Sequence, residues 1–187
     1  MAHPGSPDPS TAPAQAYATL LGRLEDADRL DPAVAFAAPK AARLTAHPAL
    51  ARFFHGDATG IPIHTILTDV PFGAWFMALY LDLYDDEASR IAARRLIALG
   101  IAAAAPTALS GWAEWSRLDH PRRRVGVVHA ALNATGVLVF TASFAARSAG
   151  RHGLGAGLAR LGGGVVIAGG FLGGHLAAAA RTPAPTN

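Results

Sequence analysis

The chain has 187 residues, of which 51% are hydrophobic and only 16% charged, a balance that leans away from a soluble globule. Its net charge of +3 comes from fifteen Arg and one Lys, scattered among loop ends without a long basic stripe or interleaved aromatics, so nucleic-acid binding is not expected. Cysteine is absent, which excludes disulfides, thiolate metal sites, iron-sulfur ligation and a cysteine nucleophile, and any metal chemistry must rest on His and carboxylates.

Residues 1–15, MAHPGSPDPSTAPAQ, hold four of the thirteen prolines and almost nothing to bury, which predicts a disordered tail. They show neither a positive n-region nor an apolar h-region, so no secretory signal is expected and the start of the chain should stay in the cytoplasm. From 16 to 57 apolar residues recur at helical spacing, as in Tyr17, Leu20, Leu21 and Leu24, then Leu30, Val34, Leu44, Leu50 and Phe53. Pro32, Pro39 and Pro48 are expected to cut this region into short amphipathic helices. The simpler reading is a helical collar lying on a membrane surface, and the other is a separately folded partner-binding module.

Between 58 and 180 four stretches approach the ~20 apolar residues needed to cross a bilayer core. They run from Ile66 to Tyr84 (interrupted by Asp69 and Pro71), Leu96 to Ala113, Val125 to Ala146 and Leu161 to Ala180. Pro106 is expected to kink the second, with Thr107 and Ser110 satisfying the freed carbonyls. The links DDEAS, SRLDHPRRR and RSAGRHGLG are short and charged, and residues 181–187 read as a tail. The fold class is therefore all-α: an integral membrane four-helix bundle with short N-terminal amphipathic helices and a disordered N-terminal tail.

Arginines do not orient the bundle, because Arg52, Arg117, Arg122, Arg123, Arg124 and Arg181 on one side are balanced by Arg90, Arg94, Arg95, Arg147, Arg151 and Arg160 on the other. Four passes and a long segment ahead of the first place both termini in the cytoplasm.

With four passes, one membrane face gathers the start of the first span, the end of the second, the start of the third and the end of the fourth. That face collects His64, Asp69, Glu114 between Trp112 and Trp115, His129, Asn133 and His175, whereas the opposite leaflet has only Asp82, expected to pair with Arg94 or Arg95. His129 lies four residues past Val125 and His175 five before Ala180, so both sit roughly 6–8 Å inside their helix ends and are expected to face each other. Each residue also has a plain role: Asp69 as a helix cap, Glu114 in a headgroup belt, His175 on the last carbonyls, His129 as interhelical glue.

The stripe His129, Asn133, Gly136 and the stripe Gly164, Ala168, Phe171, His175 each share a helix face, and Gly169-x-x-x-Gly173 and Gly170-x-x-x-Gly174 allow backbones to touch. The same smallness leaves room for a porphyrin, so His129 and His175 are candidate axial ligands of a b-type haem, with His64 and Asn133 as neighbours. A divalent-metal site from His64, His129, His175, Asp69 and Glu114 is the other possibility, without a tight spacing motif to support it.

The runs GIPIHTILTDVPFGAW, ALGIAAAAPTALSGWAEWS, RRRVGVVHAALN and GGFLGGHL, in this order, resemble the bacterial membrane family catalogued as domain of unknown function 2231. The resemblance covers about residues 14–180 and implies a four-helix protein of the bacterial inner membrane with no established activity. Some members of the family are fused to a Rieske iron-sulfur domain. His64, Asp69, Pro71, Gly111, His129, Asn133 and His175 fall on its motif positions. The chain departs from the pattern at Ile61, where relatives commonly have His, at Thr65, where they commonly have Pro, and in ending on RTPAPTN with no Rieske domain.

These readings lead first to a haem-binding redox accessory protein with a redox or membrane-protein partner and a homo-oligomer in view. The alternatives are a structural or assembly subunit whose polar cluster is packing, and a metal-binding membrane protein. A metal-dependent hydrolase has no nucleophile elbow or zincin signature behind it.

Overall fold

The computed structural model describes residues 12–180, with side chains to residue 178; the expected tails at 1–11 and 181–187 lie outside the described residues. The described chain is all-helical. Three short helices come first: α1 (Ala12–Glu25), α2 (Asp31–Leu44, after a 3-10 turn at Asp28–Leu30) and α3 (Pro48–His55). Four longer ones follow: α4 (Ile63–Leu81), α5 (Glu87–Trp115), α6 (His120–Ser148) and α7 (His152–Ala180).

The last three helices extend past the apolar runs because their ends are set by caps and not by hydropathy. Asp86 accepts from Ser89 N at 2.9 Å to start α5, and Asp119 accepts from Arg122 N at 3.0 Å, ahead of Pro121, to start α6. Much of the charged sequence read as linker is therefore helical. The turn between α6 and α7 closes through Gly150 at φ 74°, a left-handed conformation that glycine adopts without a Cβ clash.

Prolines divide the collar at two of the three expected points. Pro32 and Pro48 sit in first turns, where the missing N–H costs nothing, but Pro39 lies inside α2. The carbonyl it leaves unpaired belongs to Ala35, an exposed residue on the solvent side of α2, and the helix continues through the proline. α1 also begins at Ala12, four residues into the stretch expected to be tail.

Helices α5, α6 and α7 are long and apolar enough to cross a membrane over Glu87–Trp115, His120–Ser148 and His152–Ala178; α4, at 19 residues and with Asp69, is outside that group. Only 22%, 22% and 28% of the three apolar windows is buried within the chain, so most of this surface, including Leu99, Leu109, Leu138 and Phe171, faces outward. Hairpins α4–α5 and α6–α7 pack side by side, and contacts of α5 with α6 and α4 with α7 close the ring.

Rings seated on glycines lock adjacent helices. Trp75 of α4 lies on Gly100 of α5, and Trp115 of α5 on Gly126 of α6, so close that a Cβ at either glycine would overlap the indole. Trp75 also stacks on Phe140 of α6, with centroids 4.2 Å apart and planes 8° from parallel, a contact worth about 0.5–1.5 kcal/mol beyond its buried area. The collar sits on the end of the bundle where α4 and α6 begin: Leu21 of α1 packs with Val125 and Leu172, and Val34 and Ala41 of α2 with Trp115.

At the far end Asp82 meets Arg147 of α6, not Arg94 or Arg95. The guanidinium donates from Nη1 to Oδ1 at 2.7 Å and from Nη2 to Oδ2 at 2.5 Å, with side-chain exposures of 1% for Arg147 and 6% for Asp82. Arg94 and Arg95 lie two turns into α5, whereas Arg147 ends the inward stripe of α6 and so reaches the end of α4.

Candidate functional site

The collar end of the bundle does hold the polar residues singled out in the sequence, but in separate settings. His64, in the first turn of α4, donates from Nδ1 to the Thr107 carbonyl at 3.0 Å, with Ser110 Oγ at 3.3 Å. Its ring lies on Gly111, where a Cβ would come within 2.9 Å of Cε1. Thr107 also serves α4: its Oγ1, 2.8 Å from the Ala103 carbonyl of its own helix, is 3.1 Å from Leu67 O. Leu67 O is the carbonyl that Pro71, lacking an N–H, leaves free. The hydroxyl expected to repair the proline of α5 thus helps to repair the proline of α4.

His129 donates from Nδ1 to Gly169 O on α7 at 2.8 Å, and its ring covers Gly173, where a Cβ would lie 2.8 Å from Cε1. Asn133, one turn on, donates from Nδ2 to the His129 carbonyl at 2.9 Å and packs beside Gly169. The stripe of α6 does face α7, and the small residues there accommodate the protein's own imidazole and amide.

His175 is elsewhere. It follows Gly173 by two residues, roughly 200° around a helix of 3.6 residues per turn, and its Nε2 pairs with Glu25 Oε1 of α1 at 2.9 Å. The expectation that His129 and His175 face each other is corrected by this geometry: one points into the α6–α7 seam, the other at the collar. As placed, they do not fit a bis-imidazole haem, because His129 Nδ1 is engaged by Gly169 O, His175 Nε2 by Glu25, and the glycine faces are filled by His129, Asn133 and, at Gly136, by Val166.

Glu114 accepts from His55 Nδ1 of α3 at 2.6 Å. Asp69 does not cap α4, which begins six residues earlier after Pro62; it is exposed on the outer face, and among the described residues no hydrogen bond or ion pair reaches its carboxylate. Among the described residues no group of three or more His, Cys, Asp or Glu converges in a way that could hold a metal ion, so the set His64, His129, His175, Asp69 and Glu114 is dispersed.

Sequence reading missed the charged partners that tie the collar down. Arg124 donates from Nε and Nη2 to the two Asp31 oxygens at 2.7 and 2.8 Å, from Nη2 to Asp28 at 2.5 Å and from Nη1 to Glu25 O at 2.8 Å, while His120 pairs with Asp31 at 3.0 Å. The hydrogen bonds from Arg124 hold the Asp31 carboxyl below the usual carboxylate range. Every collar helix is thereby latched: α1 through Glu25–His175, α2 through Asp31–Arg124 and α3 through His55–Glu114. The only forward signal was Arg124 itself, five residues from the cap Asp119 and one before the apolar run.

Comparison of the chain with protein-family models, curated proteins and solved structures finds no match.

Proposed function

We propose that the chain is a non-catalytic, multi-pass protein of the bacterial inner membrane, in which α4–α7 cross the bilayer as a four-helix bundle and α1–α3 cap its cytoplasmic end. The family resemblance, resting on its four motifs, agrees with this reading. The observation that carries it is the use of His64 and His129: each buries its ring on a glycine of the next helix and spends Nδ1 on a carbonyl there. Polar side chains that hydrogen-bond across helices over small residues are what membrane bundles use for association. The short α4, about 28 Å at 1.5 Å per residue, still matches a hydrocarbon core of about 30 Å. Exposed Phe36 of α2 and Phe53 of α3 would sit among the headgroups.

Two measurements test the proposal. After alkaline carbonate extraction the protein should stay with the membrane pellet, and its release would overturn the membrane reading. The purified protein should show no Soret band, oxidised or dithionite-reduced, after expression with ample haem. A low-spin haem spectrum lost on His129→Ala would restore the cytochrome reading in place of packing.

A further inference from the structure

Between α4 and α7, next to the collar, an open groove of about 610 Å³ runs along the outer surface, within the size range of small-molecule sites. Its floor is Gly170 and Gly174 of α7; a Cβ at Gly174 would meet nothing within 4 Å. Its walls are aromatic, with Phe72 and Phe76 on α4, Phe171 on α7 and Tyr17 on α1. Among the described residues no Arg or Lys lines it, so these residues offer nothing to a phosphate headgroup.

One acceptor lines it and a second lies on the same face of α4 as its aromatic wall, one turn nearer the collar. His175 lines the groove, and in the tautomer that gives its Nε2–H to Glu25 the other ring nitrogen, Nδ1, is a lone-pair acceptor. Asp69 shares a helix face with Phe72 and Phe76 (i, i+3, i+7), and its carboxylate has no partner among the described residues. Phe72 is level with Gly170; moving toward the collar, Asp69 is three residues from Phe72 and His175 five from Gly170, so the two depths agree within about 3 Å. An unpaired carboxylate on a lipid-facing helix costs a few kcal/mol, a cost that a bound donor would relieve.

Resting on the membrane reading above, the geometry points to this groove as a binding site for a membrane quinol: a flat ring between the aromatic walls, its hydroxyls donating to Asp69 and His175, its isoprenoid tail running out into the bilayer. Two acceptors, with no cation among the described lining residues, select the dihydroxy form over the dicarbonyl quinone, which has no proton to donate.

The test uses the full chain in phospholipid nanodiscs equilibrated with decylubiquinol or decylubiquinone, with bound quinol or quinone extracted and quantified against empty discs. About one decylubiquinol per chain is expected above background, with decylubiquinone retained several-fold less. Asp69→Asn should lower quinol retention about fivefold, the loss expected for one hydrogen bond of ~1 kcal/mol. Gly174→Leu, which has room to fold, should abolish retention by filling the groove, and Leu138→Ala on the outer face of α6 should leave it unchanged. Background retention by the wild type, equal retention by Gly174→Leu, or a phospholipid found in place of quinol would each overturn the assignment. Carbonate extraction of the same membranes separates the failures: a chain that is released overturns the membrane reading and this one together, whereas a chain retained without quinol overturns this one alone.

Discussion

His129 and Gly173 form one contact across the α6–α7 seam: the imidazole covers the glycine so closely that a Cβ there would lie 2.8 Å from Cε1. Its Nδ1–H, given to Gly169 O one turn earlier, fixes the ring in that place. The seam is thus held by an aromatic knob with a polar anchor, and the glycine spacing on α7 matches the knob.

The two glycine ladders of α7 should respond differently to bulk. Gly173→Leu must displace the His129 ring and break its bond to Gly169, an overpacking cost of at least about 1–3 kcal/mol that should lower the melting temperature in detergent by several degrees. At Gly170 a Cβ meets only Phe72, at an ordinary 3.5 Å, so Gly170→Leu should melt close to the wild type. Equal losses for both variants would show that the whole glycine face of α7 is packed.

The all-helical character and the long apolar helices were legible in the sequence because apolar periodicity and uninterrupted apolar runs mark them, and proline fixes the first turns of α2 and α3. The ends of α5–α7 were less so, since hydropathy marks only the apolar part of a helix and not its capped, charged ends. Side-chain pairing was least legible: Glu25 and His175 are 150 residues apart, and nothing local to either names the other. A signal did exist for Arg147, which continues the stripe His129, Asn133, Gly136, Phe140, Ser143 at i+3 and i+4 steps and so had to point inward. The separation of His129 from His175 also follows from helical phase once Gly173 is known to take the His129 ring. Helix-end depth, which suggested that the two imidazoles meet, carries no information about direction.

The Asp82–Arg147 pair should behave as a buried ion pair. Asp82→Ala leaves a guanidinium with 1% exposure uncompensated and should cost about 3–5 kcal/mol, whereas the double variant Asp82→Leu with Arg147→Met should recover most of the loss. Chemical or thermal unfolding in detergent measures both, and a double variant no better than Asp82→Ala would mean that the charges hold the α4–α6 contact in register.

The latches place the collar at the end of the bundle where α7 finishes. A fusion reporter after Asn187 should therefore be active on the cytoplasmic side and one inserted at Gly150, in the α6–α7 turn, on the periplasmic side. The opposite orientation would require about fifty residues of folded collar to be exported. A periplasmic signal at Asn187 with a cytoplasmic one at Gly150 would reverse the assignment, and equal signals would break the four-pass count.

Asp31 gives the collar a pH dependence whose sign is fixed by its partners. Hydrogen bonds from Arg124, with a smaller contribution from His120, hold its carboxyl below the ordinary 3.8, and Asp28 shares the same guanidinium. A carboxyl depressed on folding contributes its full stability above the ordinary value and loses it as pH falls toward the folded one. The melting-temperature gap between the wild type and Asp31→Asn should therefore be constant from pH 7 to about pH 5 and narrow only as pH drops below 3.8. Because Arg124 stays charged throughout, the narrowing reports protonation of the acid alone. A gap that already closes between pH 7 and 5, well above the carboxylate range, would show that the ionised Asp31 carboxylate is not what holds the latch.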